Sequence, residues 1–317
     1  MTISKKGKFV FFVIAFAILV MVLELLLRVK YGFCDTVLMR EDIDYEYIAV
    51  SNQDRFRFKN RILYNSLSMR SSEYNKQDLN IFGFGDSVIN GGVLTDHDSL
   101  GTTVLSRKLS ELCLRNTNFL NISAGSWGPD NCFAYLEKNK VLNANAIFLF
   151  VSSHDAFDIM EFSKVVGIMK DFPKEQYKWA IIELFDRYLI PRYLVPYLNM
   201  VGNPIDVKEN ELAINKQKDN TEFNIGFENF LFYAKSKNIP FVIYLHAERS
   251  ELKNRRYNNQ GIEIIDFCVK NNIPIIKDLE LGLEIDEFRD DIHINNLGQR
   301  KLANRVLNFI LSNPIDI

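Results

Sequence analysis

The sequence lacks several features that would assign the chain to a common functional class. It has four cysteines, none in the C-x-x-C spacing of zinc sites, and we expect Cys113 and Cys268 to be small buried apolar residues, with a disulfide as the alternative. No basic run is present and the net charge is −2, which argues against nucleic-acid binding. No phosphate-binding glycine loop occurs and the four histidines are scattered, so we expect neither a metal nor an organic cofactor.

Polar residues are also nearly absent from one stretch at the N-terminus. Residues 9–27 are apolar except for Glu24, and Lys5, Lys6 and Lys8 precede them. At about 1.5 Å per residue, a helix of this length spans the hydrocarbon core of a bilayer. No small-residue cleavage site follows, so we predict a retained single-pass anchor rather than a signal peptide. The lysines favour a cytoplasmic N-terminus, with the rest of the chain outside the cytoplasm.

Apolar runs alternate with amphipathic stretches over the remainder of the chain. Five runs predict strands: LNIFGF (79–84), NFLNISAG (118–125), NAIFLFVSS (145–153), IPFVIYLHA (239–247) and IPIIKDL (273–279). Strands that alternate with helices predict a parallel sheet covered by helices on both faces, which is an α/β fold.

The same pattern suggests three parts. Residues 1–30 form a cytoplasmic tip and the anchor, 31–77 a connecting region, and 78–317 one α/β domain. An insertion at about 156–220 interrupts the alternation with the apolar, aromatic sequence WAIIELFDRYLIPRYLVPYL. This insertion is interpreted as a lid near the site, with a packing element or a membrane-facing element as alternatives.

Four short polar segments follow predicted strands. Ser87 follows the first strand, Gly125 the second and SSHD (152–155) the third, while DDIH (290–293) lies between the last strand and the last helix. Ligands of open parallel sheets bind beyond the carboxyl ends of the strands. We therefore expect these segments to meet at one edge of the sheet.

The chemistry of these segments is that of a serine nucleophile. A serine hydroxyl needs a base to take its proton. His293 has the best context among the histidines, because Asp290 precedes it by three residues and can accept its Nδ1 proton, leaving Nε2 to face Ser87. The backbone N–H groups of Ser87 and Gly125 are candidate donors to an oxyanion.

Other residues near these segments receive structural interpretations. His97, flanked by two aspartates, is expected at the surface near a helix start. His246 ends an apolar strand and is interpreted as a structural histidine, with a place in the pocket wall as the alternative. Asp86 is expected to cap or brace the turn at Ser87.

The segments GDSVINGG, NISAGSWG, SSHD and DDIH resemble, in order, the four blocks of the SGNH/GDSL hydrolase superfamily. The resemblance covers most of the chain from residue 79 onward. It implies a flavodoxin-like, three-layer α/β/α sandwich with a five-stranded parallel sheet. It also implies Ser87 as nucleophile, Asp290 and His293 as its triad partners, and Gly125 as the oxyanion glycine.

The third block departs from the family pattern Gly-x-Asn-Asp. His154 stands where the resemblance implies an asparagine that completes the oxyanion hole. An imidazole N–H also donates in the right tautomer, so we expect His154 to act as a substitute, with altered chemistry as the alternative. Bacterial relatives that modify cell-surface polysaccharides are similar here, with an N-terminal anchor and the SHD form of this block.

Three functions remain in competition. The first is a membrane-anchored serine esterase or acyltransferase that acts on O-acyl, above all O-acetyl, groups of a carbohydrate; the same triad serves hydrolysis and transfer. The second is a lipase or lysophospholipase. The third is a non-catalytic glycan-binding or assembly protein that has kept the fold.

Overall fold

The protein, in this computed structural model, has an α/β core preceded by a long N-terminal helix, and the structure describes residues 5–200 and 222–313. The strands are β1 (Met39–Asp42), β2 (Glu46–Ala49), β3 (Gln53–Arg57), β4 (Asn60–Tyr64), β5 (Leu79–Gly85), β6 (Thr117–Ser123), β7 (Ala146–Ser152), β8 (Phe241–His246) and β9 (Ile275–Lys277). The α-helices are α1 (Lys5–Tyr31), α2 (Ser87–Asn90), α3 (Gly101–Cys113), α4 (Pro129–Lys138), α5 (Ala180–Glu183), α6 (Val195–Met200), α7 (Gly226–Lys237), α8 (Arg249–Asn254), α9 (Asn259–Asn271) and α10 (Asn296–Ser312).

In the described part of the chain, β5 to β9 form one five-stranded parallel sheet in the order β6-β5-β7-β8-β9. Counted from β5, this order is the flavodoxin-like 2-1-3-4-5. Every residue of β5, β7 and β8 is buried, because both faces of the sheet are covered. The predicted fold is therefore confirmed, and each strand lies within two residues of its predicted bounds.

Two helical layers cover the sheet. Successive side chains of β5 point to opposite faces, so Ile81 packs with α3 and α10, whereas Phe82 packs with α4, α7 and α9. These two hydrophobic clusters hold the carboxyl ends of the strands in a fixed relation, and this edge carries the candidate site.

Helix α1 projects from the α/β core. Within Lys5–Tyr31, Leu27 is the one buried residue. Among the described residues, α1 is the one helix that is long and apolar enough to cross a membrane, judged by length and composition.

The region between α1 and β5 is more ordered than a connecting segment. It forms two antiparallel hairpins, β1–β2 and β3–β4. Tyr45 and Ile48 belong to the same hydrophobic cluster as the sheet, and the Trp127 indole N–H donates to the carbonyl of Tyr47 over 3.0 Å. The proposed boundary at residue 78 therefore separates two parts that share one core.

The insertion is partly helical. After a 3-10 turn at Ser153–Ala156 the chain has no strand until β8 among its described residues, and α5 continues as a π-helix (Leu184–Leu194) and then as α6. The remainder of the predicted insertion, residues 201–220, lies outside the described residues.

The cysteines lie in the described part of the chain, and all four are free thiols. Cys268 is buried as expected, but Cys113 is exposed, so its predicted burial is wrong. Cys113 is the last residue of α3, one turn beyond Leu109, which is the last buried residue of the helix.

Candidate active site

The carboxyl ends of β5, β6 and β7 border a cavity of about 630 Å³. Ser87, Gly125, His154 and His293 all line it, although they come from distant parts of the sequence. The expectation that the polar segments meet at one edge of the sheet agrees with this arrangement.

Ser87 is presented by a tight turn from strand to helix. It is the first residue of α2, and the carboxylate of the N-cap residue Asp86 accepts the Val88 N–H over 2.8 Å. A side chain at Gly85 would bring its Cβ to 2.8 Å from the carbonyl oxygen of Phe150, so the close packing under the turn requires glycine. The predicted bracing role of Asp86 matches this geometry.

Three side chains form a hydrogen-bonded series at the turn. Nε2 of His293 lies 2.9 Å from Oγ of Ser87, and Nδ1 lies 2.9 Å from Oδ2 of Asp290. Partial burial raises the pKa of Asp290, but the backbone N–H groups of His293 and Ile292 and the imidazole outweigh it and hold that pKa below its usual range. An ionised carboxylate keeps a proton on Nδ1, so Nε2 accepts from the serine hydroxyl.

The loop that carries His293 is tethered by a second histidine. Nδ1 of the buried His246 lies 2.6 Å from Oδ2 of Asp278, and Nε2 lies 2.9 Å from the carbonyl oxygen of Ile292. Burial lowers the pKa of His246, but the charge of Asp278 outweighs it, and the pKa is raised. Both ring nitrogens face acceptors, so the ring donates on both sides, which fits the structural role predicted for His246.

His97 lies elsewhere than expected. It is 8% exposed, within a 3-10 turn (His97–Ser99) that contacts β4 and α10. Burial, and then the positive charge of Arg70, lower its pKa. The predicted surface position is wrong because β4 belongs to a hairpin that local sequence did not indicate.

Gly125 forms part of the cavity wall. Its carbonyl oxygen accepts the Tyr47 hydroxyl over 2.8 Å. No atom of the described residues comes within 4 Å of a Cβ built at this position. Packing therefore does not demand glycine here, and its missing side chain leaves open space beside the backbone.

His154 lies in the cavity wall among carboxyl groups. Its Nδ1 is 3.2 Å from Oε1 of Glu248, and its Nε2 is 3.7 Å from Oδ1 of Asp155. Burial lowers the pKa of the imidazole, but the charge of Asp155, the hydrogen bond to Glu248 and the charge of Asp86 outweigh it and raise the pKa to about 10. These neighbouring acids therefore favour the protonated form of His154.

Asp155 contributes to the same cluster. Its Oδ2 accepts the Ser152 N–H over 2.7 Å, and burial raises the pKa of its carboxyl group. Among the described residues, Asp86, His154 and Asp155 place ligand atoms within 4.8 Å of one another. We interpret the three as an electrostatic cluster in which a protonated imidazole offsets the charge of the carboxyl groups.

Another part of the cavity wall comes from residues that the motifs did not indicate. These residues belong to the hairpin region and the insertion: Thr36, Val37, Met39, Ala49, Tyr64, Asp171, Phe172 and Arg187. They carry no local signature, because their place in the wall depends on contacts between segments that are far apart in sequence.

Comparisons with known proteins find distant structural similarity. No family model and no curated protein matches the sequence. The chain is similar to a solved member of the lipolytic protein G-D-S-L family from Veillonella parvula, at 12% identity and a TM-score of 0.40 over 74% of this chain and 98% of that chain. It is also similar to the acetyl xylan esterase AlAXEase, at 14% identity and a TM-score of 0.41 over 73% and 100% of the two chains.

A third similar structure is a two-domain esterase active on acetylated mannans. The identity is 11% and the TM-score 0.41, over 74% of this chain and 49% of that chain. Similarity this distant leaves the function to be inferred from the site itself.

Proposed function

We propose that the protein is a serine esterase or acyltransferase of the SGNH/GDSL type, anchored in a membrane by residues 9–27 with its catalytic domain outside the cytoplasm. The observation that supports it most is the series Ser87–His293–Asp290 at the cavity. This order of nucleophile, base and orienting acid is the one that activates a serine hydroxyl.

In the first half of the reaction, Nε2 of His293 takes the proton of Ser87 as Oγ attacks the carbonyl carbon of the substrate ester. The bond from this carbon to the alcohol oxygen then breaks, and the imidazolium returns the proton to the departing oxygen. Ser87 is left carrying the acyl group as an ester. The ionised Asp290 holds the ring and stabilises its charged form.

In the second half, a water or a sugar hydroxyl attacks the acyl carbon. His293 takes the proton of this second nucleophile and returns it to Oγ as the bond to Ser87 breaks. The product is a free acid when water attacks and a new ester when a sugar attacks, so the same residues serve both reactions.

The negative charge that develops on the carbonyl oxygen needs fixed donors. We assign this role to the backbone N–H groups of Ser87 and Gly125 and to the imidazolium of His154. A full positive charge attracts an oxyanion more strongly than an amide dipole does, although the carboxyl groups of Asp86 and Asp155 offset part of it. The protonated state of His154 is thus the reason that we propose a working substitute for the asparagine.

For the substrate we propose an O-acetyl group on a carbohydrate. The cavity wall mixes polar side chains, such as Gln260, Arg187 and Asp171, with the aromatic ring of Phe172. Such a lining suits the hydroxyl groups and the apolar face of a sugar better than a long acyl chain. A lipase or lysophospholipase is the second candidate, because exposed apolar side chains lie on the helix that carries Arg187.

Steady-state hydrolysis of nitrophenyl esters of increasing acyl length tests the proposal. We expect kcat/KM to be at least about tenfold higher for acetate than for decanoate, and Ser87→Ala to lower it by about a thousandfold or more. Ser126→Ala is the matched control, because Ser126 lines the same cavity and should keep its activity. Full activity of Ser87→Ala would refute the proposal, and a preference for decanoate would favour the lipase.

A further inference from the structure

The helical segment that follows Trp179 has its polar and apolar sides reversed relative to a helix in water. Its inward side carries Glu183, which is fully buried, and Arg187, whose side chain is 11% exposed. Its outward face carries large apolar side chains that are 37% to 64% exposed, namely Ile182, Phe185, Ile190, Tyr193, Leu194 and Tyr197, with Trp179 just before the helix. The one acid exposed on this stretch, Asp186, is paired with Lys170. A helix that faces water shows the opposite arrangement, so this outward face is suited to an apolar medium.

This outward face is continuous with the apolar helix α1. The two carboxylate oxygens of Glu24 accept the N–H groups of Ala180 and Ile181 over 2.8 and 3.0 Å. Arg28 pairs with Glu24 and donates to the carbonyl of Lys178 over 2.6 Å. The single acid of the apolar run therefore binds the start of the reversed helix to α1 itself.

The position of Glu24 along α1 gives the depth of this contact in the bilayer. Glu24 lies three residues before the end of the apolar run, which corresponds to about 5 Å along a helix. If the run fills the hydrocarbon core, Ala180 lies where hydrocarbon meets headgroups. Tryptophan and tyrosine are the residues enriched at that level, and Trp179, Tyr193 and Tyr197 belong to the outward face.

The join between α1 and the α/β core is fixed. Arg57 pairs with Glu183 over 2.5 Å, and both side chains are at most 1% exposed. Glu183 also accepts the Cys34 N–H over 2.6 Å, and Arg57 donates to the Gly32 carbonyl over 2.9 Å. Gly32 has φ +68°, and a Cβ there would come within 1.8 Å of the Phe56 carbonyl oxygen. A core joined to α1 in this way turns one defined side toward the bilayer that α1 enters.

We propose that the outward face lies in the interfacial layer of the same bilayer that α1 crosses. A lipid bilayer is the partner that fits, since α1 requires it and the outward face adjoins α1. The exposed cations Lys178 and Arg192 flank the aromatic side chains and suit lipid phosphates. The proposal depends on the membrane anchor and not on the chemistry of Ser87.

The cavity lies beside the same helix and near the end of α1. Arg187 lines the cavity from the inward side of the same helix, and Thr36, another wall residue, follows the last residue of α1 by five positions. Five residues span at most about 18 Å, so the cavity lies close to the bilayer surface. An ester carried by a membrane-bound molecule reaches the site without leaving the surface.

Tryptophan fluorescence of the full-length protein in phosphatidylcholine vesicles tests the proposal. The chain has two tryptophans: Trp179 is 59% exposed and Trp127 is 1% exposed in the core. Bromine atoms on the acyl chains quench a tryptophan that touches lipid. We expect brominated lipid to remove about half of the wild-type emission, the share of Trp179, and to leave the emission of Trp179→Phe unchanged.

Val141→Trp in the Trp179→Phe background is the matched control. Val141 is 83% exposed and precedes β7, at the opposite edge of the sheet from the cavity. The tryptophan introduced there should respond to aqueous iodide and not to brominated lipid. The proposal is overturned if the emission of the wild-type protein is quenched by iodide and not by brominated lipid. It is also overturned if the wild-type protein fails to float with the vesicles.

Discussion

At the scale of single residues, His154 is the side chain around which the acidic groups of the candidate site gather. Glu248 and Asp155 contact its ring and Asp86 lies within 4.8 Å, so three carboxyl groups surround one imidazolium. Removing the cation leaves these acids facing the place where an oxyanion would form. Asparagine at this position would restore the family pattern but not the charge.

We therefore predict that His154→Asn lowers kcat by about tenfold to a hundredfold and changes KM little, because the lost interaction acts mainly in the transition state. Steady-state kinetics with an acetyl ester measures this. A variant as active as the wild type would show that the imidazolium does not contact the reacting oxygen.

The same histidine predicts a pH dependence of stability. Its pKa is raised from 6.5 to about 10 in the folded protein, so its stabilising effect is complete below pH 6.5 and is lost as the pH rises through 10. The difference in free energy of unfolding between the wild type and His154→Asn should narrow by about 1 kcal/mol or more from pH 7 to pH 10. Urea unfolding at several pH values measures it, and a constant difference would contradict an imidazolium.

A substitution at Gly125 tests substrate access separately from the packing of the fold. Its Cβ position is open, so Gly125→Ala should leave the melting temperature unchanged while its methyl group obstructs the cavity and lowers kcat/KM by about tenfold. Gly226→Ala is the contrasting control, because its Cβ would lie 2.2 Å from the backbone of Pro129 and should destabilise the fold. If the melting temperature of Gly125→Ala fell along with its activity, this glycine would serve packing.

At the scale of elements, the loop with Asp290 and His293 depends on a tether to β8 and β9. His246 bonds to Asp278, which follows β9, and to the carbonyl of Ile292 in the loop. Without that ring, Asp278 is a buried carboxylate without its main partner, and the loop loses one of its fixed contacts.

We predict that His246→Leu costs about 3 kcal/mol or more in the free energy of unfolding, speeds amide exchange in residues 289–293 and lowers kcat. Denaturant unfolding, hydrogen exchange and kinetics check the three effects. If His246→Leu lost stability while amide exchange and kcat stayed unchanged, the role of His246 would be limited to stabilising the core.

The elements differ in how well local sequence predicts them. The five sheet strands contain apolar runs with few polar residues, such as Asn80 and Asn121, and they end at glycine or polar turns, so their bounds follow closely from the sequence. Strands β1 to β4 are four or five residues long and mix charged with apolar side chains, and no local pattern distinguishes them from loops. The motif residues of the site were predictable, whereas the wall residues Tyr64, Phe172 and Arg187 depend on how distant segments pack.

At the scale of the whole molecule, the anchor, the hairpins, the insertion and the sheet form one structure. The pair of Arg57 and Glu183 joins β3 to α5 beside the end of α1. Thr36, which precedes β1, and Tyr64 of β4 line the cavity with Ser87. A chain that began at residue 78 would lack this part of the cavity wall. It would also expose the core residues that the hairpin residue Ile48 helps to cover. The candidate site is therefore a product of nearly the full chain.

The fold brings His293 within hydrogen-bonding distance of a serine 206 positions away, and we propose that His293 activates this serine. Treatment of the folded protein with a fluorophosphonate, followed by peptide mapping, tests this activation of Ser87. We predict one adduct, on Ser87, formed about a thousandfold more slowly in His293→Ala and at the wild-type rate in Ser126→Ala. An adduct on another serine, or no adduct on the folded protein, would show that Ser87 is not activated.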